Sequence, residues 1–329
     1  MNVEKLVVSR LLCIVFGCLA LAPHGVVGQG YPSRPVRVVV GFVPGGTTDT
    51  VARLVAQKLN ENFGQGFIVD TRAGAGGNIA TEQVSKAPPD GNTLLIFSAA
   101  ATVNQSLYKN LTFDVRTDLA PISLLITAPH ILVVDASMPI KTTLELIQYG
   151  KKRQGQLNFA NAGNGSSAHL AAVLFASNAK LEIVQVPYKG ATPAMTDLLA
   201  GQTHAMFTDM VVGRPHVISG KLRALATSLP AGKRSTLMPE LPAISDGALP
   251  GFESGTWIGF AAPAGTARPI VERLNAESVK AFGAPDVREK VAVLGLEIVA
   301  SSSETFAGII RADVDKWSKI VKQARIGVD

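Results

Sequence analysis

The sequence predicts an α/β protein of two lobes, each a doubly wound sheet. Short continuous apolar runs alternate with apolar residues at helical spacing along most of the chain. Such runs suit strands covered on both faces, and βαβα alternation suits sheets with helices packed on them. The 329 residues, less a leader, amount to two domains at about 150 residues each. No long Pro, Gly or Ser linker separates two independent halves, so the lobes are expected to share the chain discontinuously.

The chain opens on a leader. Lys5 and Arg10 precede 12 uncharged residues at 11–22, which end at Pro23 and the small residues up to Gly28. A membrane-crossing helix needs about 18 apolar residues, so this order of parts reads as an export signal over 1–28. The mature chain then starts near Gln29, and the periplasm is its expected compartment. Cys13 and Cys18 both lie inside the leader, leaving the mature chain without a thiol for a disulfide or a metal. Gly17-Cys18 also admits a lipidation reading, which Phe16 fits poorly. Losing Glu4, Lys5 and Arg10 takes the net charge from +6 to +5. The remaining Lys and Arg are scattered and no nucleic-acid motif occurs, so an anionic small ligand or a solvated surface accounts for the excess.

Strands are expected at 36–42, 67–69, 93–97, 131–134, 157–159, 183–186, 205–207, 222–226 and 258–261. Val51, Leu54, Val55, Leu59 and Phe63 recur at helical spacing, as do Phe306, Ile310, Trp317, Ile320 and Val321. Thr142-x-x-Glu145 and Ser301-x-x-Glu304 read as capping boxes. The expected lobes are 29–128 with 256–329, and 129–255, with crossings near 127–134 and 229–255.

Two loops carry the chemistry. The first strand runs into Val43-Pro44-Gly45-Gly46-Thr47-Thr48-Asp49 and then a helix. Ligands of open α/β sheets bind where strands end, and free amides at a helix start favour an anion there. The alternative is a plain tight turn capped by Asp49 or Thr47. Gly41-x4-Gly46 has the glycine spacing of a phosphate loop, but Thr47 stands where that motif needs Lys. The second loop, Asn161-Ala162-Gly163-Asn164-Gly165-Ser166-Ser167-Ala168-His169, repeats the pattern of strand, glycines, hydroxyls and helix. His169 either bonds back to this loop or touches ligand. Asp209, after the strand at 205–207, either caps a helix or accepts from a ligand hydroxyl or ammonium. Ser98, Tyr188 and Trp257 are further lining candidates by position alone. A Ser166, His169, Asp209 triad is disfavoured because G-x-S-x-G is absent. The histidines lack metal-ligand spacing.

These motifs resemble a known family. Tyr31-Pro32-Ser33-Arg34-Pro35, Pro44-Gly45-Gly46-Thr47-Thr48-Asp49, Arg72-Ala73-Gly74-Ala75-Gly76-Gly77-Asn78, Ala87-Pro88-Pro89-Asp90-Gly91, Gly163-Asn164-Gly165-Ser166-Ser167, Val186-Pro187-Tyr188-Lys189-Gly190 and Ala261-Ala262-Pro263-Ala264-Gly265-Thr266 together look like the Bug receptors, the substrate-binding proteins of tripartite tricarboxylate transporters. The resemblance spans the mature chain. It implies a periplasmic-binding-protein fold, type II-like, closing a cleft on an organic acid. In that family the loops matching 44–49 and 161–167 grip a carboxylate, partly through ordered water, and the position matching Asp209 lies near it. Thr47-Thr48 in place of Gly-Thr, and Asn161 in place of a small Ser, leave the ligand's identity open.

The resulting expectation is a monomeric periplasmic receptor that hands a small carboxylate or dicarboxylate to membrane permease subunits. It has no catalysis, cofactor, metal or nucleic-acid partner. A receptor signalling through a membrane sensor shares all of these residues. A hydrolase built on Ser166 is the third reading.

Overall fold

The computed structural model describes residues 30–324; the expected leader, with Cys13 and Cys18, lies outside the described residues. Residues from Arg34 onward form one compact unit. The described residues ahead of it, 30–33, carry a cis bond at Tyr31-Pro32.

Strand β1 (Val36–Val40) lies parallel between β2 (Phe67–Thr71) and β3 (Thr93–Ser98). β3 pairs antiparallel with β9 (Gly255–Pro263), and β9 in turn with β4 (Leu119–Asp135). β4 leaves this half within a single strand. It pairs with β9 as far as Pro129, and from His130 onward with β7 (Ala205–Asp209) and β8 (Leu222–Thr227). In this second half β5 (Leu157–Asn161) is parallel to both β6 (Ile183–Pro187) and β7. The two-residue β10 (Glu297–Ile298) pairs with β4 in the first half.

Each of the nine expected strands is present, and β4 extends well beyond expectation. Only 131–134 was legible there, because Pro121 and Pro129 punctuate the segment before it and Pro cannot donate to a ladder. Register shifts beside Pro121 and between Leu124 and Ile126 accommodate the irregularity.

Helices follow the strands: α1 (Thr47–Phe63), α2 (Asn78–Ser85), α3 (Ala100–Leu107), α4 (Thr143–Lys151), α5 (Ser167–Ala179), α6 (Ala191–Leu199), α7 (Met210–Ile218), α8 (Arg268–Gly283), α9 (Pro285–Val293) and α10 (Ser303–Ala324). The expected capping box opens α4: Thr142 Oγ1 accepts from Glu145 N at 3.2 Å, and Glu145 Oε2 accepts from Thr142 N at 3.3 Å. The second box is displaced by one residue. Ser302 caps α10 by accepting from Thr305 N, whereas Ser301 Oγ accepts from Leu124 N and ties the segment to β4.

Each half holds its own core. Phe159, Phe175, Phe207 and Phe252 pack ring on ring in the half with β5, at centroid separations of 5.7–6.2 Å. Phe97, Trp257 and Phe306 pack ring on ring in the half with β1, at 5.3–5.7 Å. Burying each ring contributes about 1.5–3 kcal/mol, which fixes the strand ends from which the functional loops spring.

Candidate functional site

Four strand-to-helix turns meet at one small cavity of about 60 Å³. β1 leads to α1 through Phe42, Val43, Gly46, Thr47 and Thr48, and β3 leads to α3 through Ser98. From the other half, β5 reaches α5 through Ala162, Ser166, Ser167 and Ala168, and β7 ends on Asp209 at the start of α7. All four turns sit at the carboxyl ends of strands, where open α/β sheets take ligands. His130 of β4 and Thr256 of β9 complete the wall from the two crossing strands.

The helix starts differ in how they are capped. α1 begins after Gly46 with no side-chain cap, so its first amides face the cavity uncommitted to a side chain. Ser166 caps α5, accepting from His169 N at 3.2 Å. Asp209 caps α7, accepting from Val212 N at 3.2 Å. Each terminus contributes about half a positive charge, and no Lys or Arg lines the cavity among the described residues. The hydroxyls of Thr47 and Thr208, both buried and lining the cavity, have no hydrogen-bond partner. A buried hydroxyl left unpaired costs about 1–3 kcal/mol, so both are poised to bond a guest.

Two titratable groups share this wall, and burial moves them in opposite senses. Desolvation lowers the His130 pKa to about 4, so the imidazole is neutral near pH 7. Its Nε2 lies 3.2 Å from Ser167 Oγ and its Nδ1 3.2 Å from Ser254 Oγ. Asp209 is pushed up by desolvation. The facing Thr47 hydroxyl and the α7 amides temper that rise, although Thr47 stops short of a hydrogen bond.

The profile of the tripartite tricarboxylate transporter family receptors matches residues 51–326. The chain belongs to that family. The receptor is 35% identical to BugT of Bordetella pertussis, over 96% of this chain and 97% of the relative. It superposes on the periplasmic binding protein BugD with a TM-score of 0.86 at 33% identity, covering 91% of this chain and all of that one. It superposes on R. palustris Rpa4515, solved with adipate, with a TM-score of 0.87 at 34% identity and the same coverage. Its fold is therefore that of the two-lobed periplasmic binding proteins, and its family is one of solute-binding receptors rather than enzymes.

Of the residues singled out from the receptor's sequence, Gly46, Thr47, Thr48, Ser98, Ser166, Ser167 and Asp209 come together on the cavity. The others stand behind it and shape the loops. Asp49 does not line the cavity: its Oδ2 accepts from Gly45 N at 3.1 Å and from Arg53 Nε at 3.0 Å, and its Oδ1 is buried without a hydrogen-bond partner. Pro44 accepts at its carbonyl from Thr192 Oγ1, 3.2 Å away in the other half. Asn161 folds its own turn, accepting from Gly163 N at 2.9 Å and donating to Gln185 at 3.0 Å. His169 takes the Gly165 N–H on Nδ1 at 3.3 Å, and burial lowers its pKa to about 4. Ser166 Oγ meets the His169 main chain rather than its ring. Gly163 and Asn164 line a neighbouring groove with Tyr188, whose hydroxyl donates to Asp197 at 2.6 Å. Trp257 donates to Asp313 at 2.7 Å and faces a separate chamber.

Sequence reasoning missed His130, Thr208 and Thr256 as lining residues. A polar residue flanked by the apolar run 131–134 was the available signal for His130.

Proposed function

We propose that this receptor captures a small organic carboxylate between its two lobes and passes it to the membrane permease subunits of a tripartite transporter. The observation that carries the reading is the convergence of the α1, α5 and α7 starts on one cavity without a formal cation. Amide and hydroxyl dipoles are weak against an anion in bulk water but effective once closure excludes solvent. Gly46, Thr47 and Thr48 from one lobe, and Ser166 and Ser167 from the other, hold the carboxylate. Ser98, Thr208, His130 and Thr256 shape the space around it. Asp209 accepts from a hydroxyl or ammonium on the adjacent carbon, which favours α-hydroxy and α-amino acids. The relative Rpa4515, solved with adipate, supports a carboxylate as the ligand class.

The lobes in this reading are 29–128 with 256–329, and 129–255. The leader at 1–28 exports the chain to the periplasm, in keeping with the family. Among the described residues no helix is long and apolar enough to cross a membrane.

A thermal-shift panel of malate, glutamate, adipate and glucose tests the proposal. Ligand at 100-fold excess over Kd stabilises by about 2.7 kcal/mol, a shift of several degrees. The expected result is a rise with at least one acid and none with glucose; a rise with glucose alone would discard the proposal.

A further inference from the structure

We infer that the ligand's far end is an uncharged aryl or alkyl group lodged in a chamber beside the hinge strands. The inference rests on the carboxylate site proposed above and adds a second half to it. The chamber measures about 490 Å³, against about 60 Å³ for the carboxylate cavity. Ser167 and Thr256 line both spaces, so the two adjoin at these hydroxyl-bearing side chains. Ser167 is held there by His130 at 3.2 Å, and Thr256 Oγ1 by the Trp257 carbonyl at 3.3 Å.

The chamber's chemistry selects the group that enters. Leu170 and Leu174 of α5, Trp317 and Ile320 of α10, and Trp257 of β9 all line it. The Trp257 indole N–H is already committed to Asp313 at 2.7 Å, so it offers a ring face and no donor. Three carboxylates, Glu253, Glu297 and Asp313, outnumber the single ammonium of Lys316, which itself sits 5.4 Å from the Trp317 ring. A second carboxylate on the ligand meets net negative charge there, whereas an aryl or alkyl end meets indole and leucine. The carboxylate is gripped in the small cavity and the apolar end gives the ligand its identity.

Calorimetric titration with adipate and 5-phenylvalerate tests the inference, because these acids differ only in carrying a carboxylate or a phenyl at the far end. The wild-type receptor is expected to bind 5-phenylvalerate about tenfold more tightly or better, the gain from covering a ring with apolar surface. Leu174→Trp fills the chamber at a residue that does not line the carboxylate cavity, and it should erase that advantage by weakening 5-phenylvalerate more than adipate. Trp317→Ala is the second variant, used if the first misfolds, and should also weaken 5-phenylvalerate selectively. Adipate binding as tightly as 5-phenylvalerate overturns the chamber and leaves the carboxylate site standing, as do chamber variants that alter both acids equally. Binding of neither acid overturns the chamber, and the malate and glutamate arms of the thermal-shift panel then decide the carboxylate site.

Discussion

His130 Nε2 lies 3.2 Å from Ser167 Oγ, joining the strand that crosses between the lobes to the first residue of the helix that faces the ligand cavity. The imidazole is buried with its hydroxyl partners, and the burial that keeps it neutral makes the receptor sensitive to acid.

His130 and His169 both have pKa values lowered by burial to about 4, from an ordinary 6.5. Between those limits the unfolded chain binds protons that the folded chain refuses. The stability is therefore complete above about pH 6.5 and is lost as pH falls toward 4, by up to about 3 kcal/mol per histidine. Asp209, pushed upward, acts in the opposite sense and offsets part of the loss. Thermal melts from pH 7.5 to 4.5 should show a falling midpoint, and His130→Asn should flatten the fall. A midpoint that stays level across this range refutes the assignment.

Asp209→Asn keeps an N-cap on α7, since Asn caps nearly as well as Asp, but removes the charge-assisted acceptor. Malate should lose about tenfold or more in affinity, the worth of a hydrogen bond to a charged group, while adipate holds or gains. Paired titrations of the two acids decide it, and an equal effect on both would remove Asp209 from ligand discrimination.

Gly165→Ala should impair capture more than folding. Gly165 sits at φ +79°, and a Cβ there would collide with Asn104 Oδ1 of α3 in the other half. The left-handed backbone costs an alanine about 1 kcal/mol, and the collision adds a barrier to bringing the halves together. Urea unfolding should change little while Kd rises about tenfold or more. An unchanged Kd would mean the halves need not meet at this point.

Phe175→Ala removes a fully buried ring within 5.7–6.2 Å of Phe159, Phe207 and Phe252. The expected loss is about 3–5 kcal/mol in urea unfolding. A loss below about 1 kcal/mol would show that the cluster collapses into the gap.

The fold was legible where a segment folds by itself. Continuous apolar runs and helical spacing marked the strands and helices, and the glycine-hydroxyl runs marked the two loops that meet. The site was less legible where a polar side chain is claimed by a partner, near or far along the chain, that only the folded turn reveals. Asp49 reads as a ligand contact, and the fold shows its Oδ2 taken by Gly45 and Arg53 while its Oδ1 stays buried without a partner. Asn161 likewise reads as a contact until its amide is found bonded to Gly163 and Gln185. His130 and Thr256 escaped notice because they belong to crossing strands, whose pairing spans more than a hundred residues. The Ser301 cap failed by one residue because Leu124, on β4, claims that hydroxyl.

The passage of β4 from one half to the other at Pro129–His130 has a consequence for dissection of the protein. The half with β1 cannot be excised as a continuous piece of chain, because it needs β9 and β10 from beyond the other half; the half with β5 is continuous but takes only the end of β4, and severing β4 strands a ladder edge on both sides. Limited proteolysis there should leave two fragments that remain associated, and gene truncation at the same point should give neither half alone.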